Sequence, residues 1–174
     1  MPATGFNDPY RTGRYEPEPI PVRVIFRQRD GRQLCVFSER YNVVSRKQKL
    51  QWLIPPGYVT DWASIPRAAQ IRMQPFGPWA WAASIHDWLY SVGEPGQKDC
   101  ADAVFLEKLE DAGVPFPRRT IMHQAVKLFG GAGYRNAERD WSAAFADPLT
   151  GRVTPPPFDR GSAFLGGPHG GRPY

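Results

Sequence analysis

The residues of this 174-residue chain that could do chemistry gather around one histidine. His86 is followed directly by Asp87, by Tyr90 one helical turn on, and later by Asp102. Asp102 shares a stripe with Phe105, Leu106 and Leu109, at spacings of three, four and seven. Those apolar side chains must face a core, so Asp102 is expected to point inward, where an unpaired carboxylate is costly. His86, on the preceding helix, is the partner within reach. An imidazole held by a carboxylate is oriented and made more basic, as a general base or metal ligand requires. On that view His86, Asp87 and Asp102 are the candidate catalytic residues. The same pair also serves as a buried polar clamp without chemistry, and backbone N–H groups at the helix start are a further way to satisfy Asp102.

A second acid lies in the loop Val59-Thr60-Asp61-Trp62-Ala63-Ser64-Ile65-Pro66. Asp61 suits an Asx-turn in which Ser64 bonds its carboxylate. The alternative brings Asp61 to the His86–Asp87 cluster, where Asp61 and Asp87 would hold a divalent cation through oxygens. No other cofactor is expected. His123 and His169 read as ordinary surface or boundary histidines. Cys35 and Cys100 have no CxxC spacing and no zinc-ligand neighbours, and read as two reduced thiols. The chain has no nucleophile elbow, P-loop or HExxH motif.

These residues must be carried by a fold that changes character along the chain. Val22, Val24 and Phe26 alternate with Arg23 and Arg27, the pattern of a half-buried strand. Asp30-Gly31 turns it into a hairpin with Gln33–Phe37. Tyr41–Val44 and Leu50–Ile54 form a second strand pair, closed by Pro55-Pro56-Gly57. Beyond Pro78, Trp81, Ile85, Trp88 and Leu89 fall at helical spacing. A second helix is expected from about Asp99 to Ala112, stopped by Gly113. A third starts near Pro117, with Ile121, Met122, Ala125, Leu128 and Phe129 on one side, and Gly130-Gly131 closes it. A shorter helix is expected around residues 137–145. The fold class is therefore α+β, a small antiparallel N-terminal sheet packed on three to four helices.

Two arms flank this domain. Residues 1–19 hold four prolines and no hydrophobic periodicity, and residues 147–174 hold twelve Pro or Gly among 28. The chain thus divides into an arm at 1–19, a globular domain at 20–146 and an arm at 147–174. The C-terminal arm is expected to stay disordered alone, since it buries little apolar surface against its ordering entropy. Its spaced anchors Phe158, Phe164, Leu165 and Tyr174 are the candidate partner-binding residues. The net charge of +5 resides in the domain, which carries 17 Lys/Arg against 12 Asp/Glu. Its densest cluster, Arg46-Lys47-Gln48-Lys49, lacks interleaved aromatics and reads as a solvated loop, so nucleic acid is not an expected partner. No apolar run is long enough to span a membrane, and the start has no signal-peptide pattern, so no export by that route is expected.

Three motifs occur in order: Ile54-Pro55-Pro56-Gly57-Tyr58-Val59-Thr60-Asp61-Trp62-Ala63-Ser64-Ile65-Pro66, then Ile85-His86-Asp87-Trp88-Leu89-Tyr90, then Ala101-Asp102-Ala103-Val104-Phe105. This succession resembles domain of unknown function 1353, a family of phages, prophages and related bacterial genomes. Tyr58 stands where that family usually has Phe, and Trp62 where Gly is common. The resemblance implies a phage setting and names no activity. His86-Asp87-Trp88-Leu89-Tyr90 with Asp102 is also similar to the catalytic helix of secreted phospholipases A. That likeness would make His86 the base for water, Asp87 a calcium ligand and Asp102 the orienting carboxylate. Leu89 replaces that family's Cys, and its disulfides and Gly-rich calcium loop are missing. The expectation is a virion component of a tail, baseplate or neck, made in the host bacterial cytoplasm and docking on other phage structural proteins through its arms. A small hydrolase using the His-Asp site is the alternative, and an accessory assembly factor a third.

Overall fold

A computed structural model describes residues 14–15, 20–29, 32–62, 77–94, 96–163 and 172–173. Strands β1 (Arg14–Tyr15), β2 (Val22–Arg29), β3 (Arg32–Phe37), β4 (Tyr41–Ser45), β5 (Leu50–Ile54) and β6 (Val59–Thr60) precede the helices. Helices α1 (Trp79–Val92), α2 (Lys98–Asp111), α3 (Phe116–Phe129), α4 (Gly131–Arg135) and α5 (Ala137–Asp140) follow, then 3-10 turns at Trp141–Ala143 and Arg160–Ala163, and strand β7 (Arg172–Pro173). The α+β class is as expected. The strands form two small sheets, ordered β1-β4-β5-β7 and β2-β3-β6. All pairs are antiparallel except β1 with β4.

The alternation in β2 is offset from the expected one. Ile25 is buried with Leu34, Val36, Val59 and Ala146, while Val24 is 60% exposed. β2 is an edge strand, and its register with β3 shifts between Ile25 and Gln28. That shift falls after Ile25, so the offset comes instead from the domain covering the face that carries Ile25. The Asp30-Gly31 turn and the side chain of Phe26 lie outside the described residues. Further on, Gly57 takes φ +88°, and a Cβ there would come within 3.2 Å of the Ala146 carbonyl. Only glycine suits this crossing, which donates Gly57 N–H to Phe37 and accepts from Ala146 N–H.

The largest core cluster joins Phe37, Tyr41, Trp52, Ile54 and Tyr58 of the strand half to Ile85, Trp88, Val104, Trp141 and Phe145 of the helical half. α1 lies across it, and α2 packs on α1 after a turn at Gly96 with φ +90°. α2 is enclosed more completely than its apolar stripe predicts. Glu107 and Lys108 are each 1% exposed beside buried Phe105 and Leu109, while Leu106 is only half-buried. Glu107 accepts from Ser45 Oγ at 2.6 Å and from Arg46 N–H at 2.9 Å, and so closes the β4–β5 turn. Lys108 Nζ donates to the Val44 carbonyl at 2.6 Å. The basic loop is tied to the same helix, Arg46 to Asp111 and Lys47 to Glu110, each at 2.5 Å.

Beyond residue 146 the described part of the tail packs on the domain. Phe158 lies half-buried against Trp141 and Phe145, with ring centroids 6.0 and 6.2 Å away. The Arg160 guanidinium donates to the Ser91 and Gly93 carbonyls at 2.7 Å each, capping the end of α1. Asp147 holds a turn through Leu149 and Thr150, and Ala146 bridges to Val153. β7 pairs with Leu50 and Gln51 of β5. Proline and glycine content alone misjudged this segment, since one ring, one guanidinium and one Asp-turn order it. Phe158, one of the expected partner-binding residues, is thus half-buried against its own chain. Phe164, Leu165 and Tyr174 lie outside the described residues. At the other end, Arg14–Tyr15 of the expected irregular arm pair with Tyr41 and Asn42.

Candidate functional site

Asp102 sits in the first turns of α2, on the side facing α1, and is 1% exposed. His86 Nε2 lies 3.0 Å from its Oδ1, and the Tyr90 hydroxyl donates to the same oxygen at 2.8 Å. Lys98 Nζ, one turn earlier on α2, donates to Oδ2 at 2.6 Å. The ammonium also donates to the Val126 and Lys127 carbonyls at 3.1 and 3.3 Å, at the C-terminal end of α3. The imidazole is fully enclosed, with the Tyr90 ring centroid at 4.0 Å and Phe105 at 4.7 Å. Three helices thus meet at one carboxylate.

The electrostatics follow from that geometry. Burial pushes the Asp102 carboxyl up, but hydrogen bonds from His86, Lys98 and Tyr90 outweigh it and hold it down at about 2. Burial lowers the His86 pKa, and the hydrogen bond and charge of Asp102 only partly oppose that. Burial and the same carboxylate raise the Tyr90 hydroxyl. An ionised Asp102 can only accept, so the neutral imidazole carries its proton on Nε2. Nδ1 is then a bare lone pair, with no hydrogen-bond partner among the described residues.

A second set of bonds fastens the β6 segment to α1. Thr60 Oγ1 donates to Asp87 Oδ2 at 2.6 Å, and Trp62 Nε1 donates to Ser84 Oγ at 2.7 Å. The Tyr58 hydroxyl bonds Ser91 Oγ at 2.8 Å. Trp62 adopts φ +53°, a conformation that favours glycine and that its ring contact with Ser84 helps to hold.

The expected His86–Asp102 contact is present, with Tyr90 as a member. Asp87 is half-buried and engaged by Thr60. Asp61 is half-buried, and Ser64, its expected partner, lies outside the described residues. Among the described residues no three His, Cys, Asp or Glu side chains are grouped to hold a metal ion, so the expected convergence of acids is not seen there. Lys98 was missed by the sequence reasoning. Its signal was legible, a lysine four residues before an inward carboxylate on one helix face. Gly130 was read only as a helix stop. A Cβ there would collide with the Tyr90 hydroxyl, so this glycine gives Tyr90 its place beside Asp102.

No curated protein and no solved structure matches the chain. A family model described as "Protein of unknown function (DUF1353)" matches residues 37–126, which run from the last residue of β3 through most of α3 and contain His86, Asp87, Asp102, Tyr90 and Lys98. With more than half of its length covered by that match and all three motifs interlocked through side chains, the chain belongs to the DUF1353 family.

Proposed function

We propose that this protein is a structural component of a bacteriophage particle, in the tail, baseplate or neck region, and that its His86 network is a lock for the fold. The observation that carries the lock is the saturation of Asp102. Three donors occupy its oxygens, Lys98 balances its charge, and the imidazole has no exposed surface. A working base must reach its substrate, and a carboxylate neutralised by an ammonium lends it less basicity. The phage setting is supported by the three ordered motifs, whose family occurs in phages and prophages. Synthesis in the host cytoplasm is compatible with the two free cysteines, Cys35 held as a thiol with its pKa pushed up to about 11 by burial. Docking on neighbouring phage proteins falls to Phe164, Leu165 and Tyr174, without Phe158. Mass spectrometry of purified particles from a producing phage tests the assignment. Stoichiometric copies are expected, and their absence from intact particles would refute it.

One observation favours a small hydrolase instead, namely the unpartnered lone pair on His86 Nδ1. In that case an opening of the fold would bring water to Nδ1, with Asp102 and Tyr90 fixing the ring and Asp87 available to a divalent cation. Hydrolysis of phospholipid or aryl esters by the purified chain, abolished in His86→Asn, would select this reading over the lock.

A further inference from the structure

Helix α3 carries two apolar stripes, and the fold covers one of them. Met122 and Val126 are buried, as part of the cluster with Phe105 and Leu109. Phe116, Ile121, Leu128 and Phe129 are between 62% and 72% exposed. Ile121, Leu128 and Phe129 share a face, at spacings of seven and eight. Scattered exposed apolar residues are ordinary, but three large ones on one face of a 14-residue helix make a patch. The charged residues within this stretch of chain are all basic. From Ala112 to Ala137 the chain holds Arg118, Arg119, Lys127 and Arg135 and no Asp or Glu. Lys127 and Arg135 are exposed, while Arg118 lies over the Trp79 ring and Arg119 reaches Glu110.

We propose that α3 docks on an anionic lipid surface. Ile121, Leu128 and Phe129 enter the boundary between headgroups and acyl chains, and Lys127 and Arg135 meet lipid phosphates. The helix would lie in the plane of the surface, since no described helix is long and apolar enough to cross a membrane. A second copy is a poor occupant because it would bring the exposed Lys127 and Arg135 of two identical faces together. A stable protein interface takes about 20–30 residues a side, more than this stripe provides. Shallow insertion needs only a few apolar side chains with cations beside them. The inference does not rest on the particle assignment.

Flotation of the full chain with vesicles tests it. Vesicles containing phosphatidylglycerol should bind about tenfold or more above phosphatidylcholine alone, and binding should weaken as salt rises. Leu128→Gln combined with Phe129→Gln should reduce binding about tenfold with the melting temperature unchanged, because both side chains are exposed. Equal or negligible binding to both vesicles would overturn the proposal. So would binding that survives the double variant and falls only with Lys127→Glu and Arg135→Glu, which would mean surface charge without insertion. A doubled mass by light scattering that the double variant reverses would give the face to a second copy, and would also overturn it.

Discussion

Asp102 keeps its charge where water cannot reach it because three donors converge on two oxygens. Its carboxyl, held at about 2 against an ordinary 3.8, makes stability depend on pH in a definite sense. The unfolded chain binds the proton more readily, so the stabilisation is complete above about pH 4 and is lost as pH falls towards 2. A shift of this size corresponds to about 2 kcal/mol. Denaturant titrations at several pH values should show that slope in the native chain and lose it in Asp102→Asn. His86 adds a second slope of the same sign. Its folded pKa lies below 6.5, so stability is full above that value and declines as pH falls below it. Asp102→Ala strands the Nε2–H of His86 and the Tyr90 hydroxyl together, and should cost about 1–3 kcal/mol in equilibrium unfolding. The sequence revealed this pair because an acid on an apolar stripe has to find a partner. Lys98, four residues before Asp102, carries a fainter signal that it shares the acid, and that sharing keeps the histidine from being made strongly basic.

At the scale of elements, periodicity located the helices well and their outer faces poorly. α1, α2 and α3 begin and end within about two residues of the expected places, because Pro78, Gly113 and the Gly130-Gly131 pair mark real boundaries. Yet Ile121, Leu128 and Phe129, on one side with Met122 by their spacing, are exposed, and of this helix only Met122 and Val126 are buried. A helix wheel shows which residues share a face and says nothing of whether a neighbour covers it. The same gap explains β2, where Ile25 rather than Val24 is buried. Gly130 joins this scale to the site. Gly130→Ala should drive the Tyr90 hydroxyl from Asp102 and cost about 1–3 kcal/mol in thermal melts. In a Tyr90→Phe background part of that penalty should vanish, since the Tyr90 oxygen is gone while the Val126 carbonyl, 2.5 Å from the added Cβ, remains. A full penalty in both backgrounds would mean that the glycine serves the backbone near Val126 instead.

For the whole molecule, the described segments of both expected arms are parts of the domain. β1 and β7 lie on opposite sides of the β4–β5 pair, and residues 147–163 cover the aromatic cluster of Trp141 and Phe145. Removing everything after residue 146 should therefore lower the melting temperature clearly, and Phe158→Ala alone should cost about 1–2 kcal/mol. An unchanged transition would return the tail to the status of a free arm. Composition could not reveal this packing, because a few anchoring side chains decide it. The lock itself is tested most directly by the exchange rate of the His86 Nε2 proton, followed by NMR at neutral pH. If the network holds α1, α2 and α3 as one unit, that proton exchanges only when the whole domain unfolds, and its exchange free energy equals the global unfolding free energy. Exchange far faster than global unfolding would mean that the ring meets solvent in the native state, as a catalytic base must, and would contradict the lock.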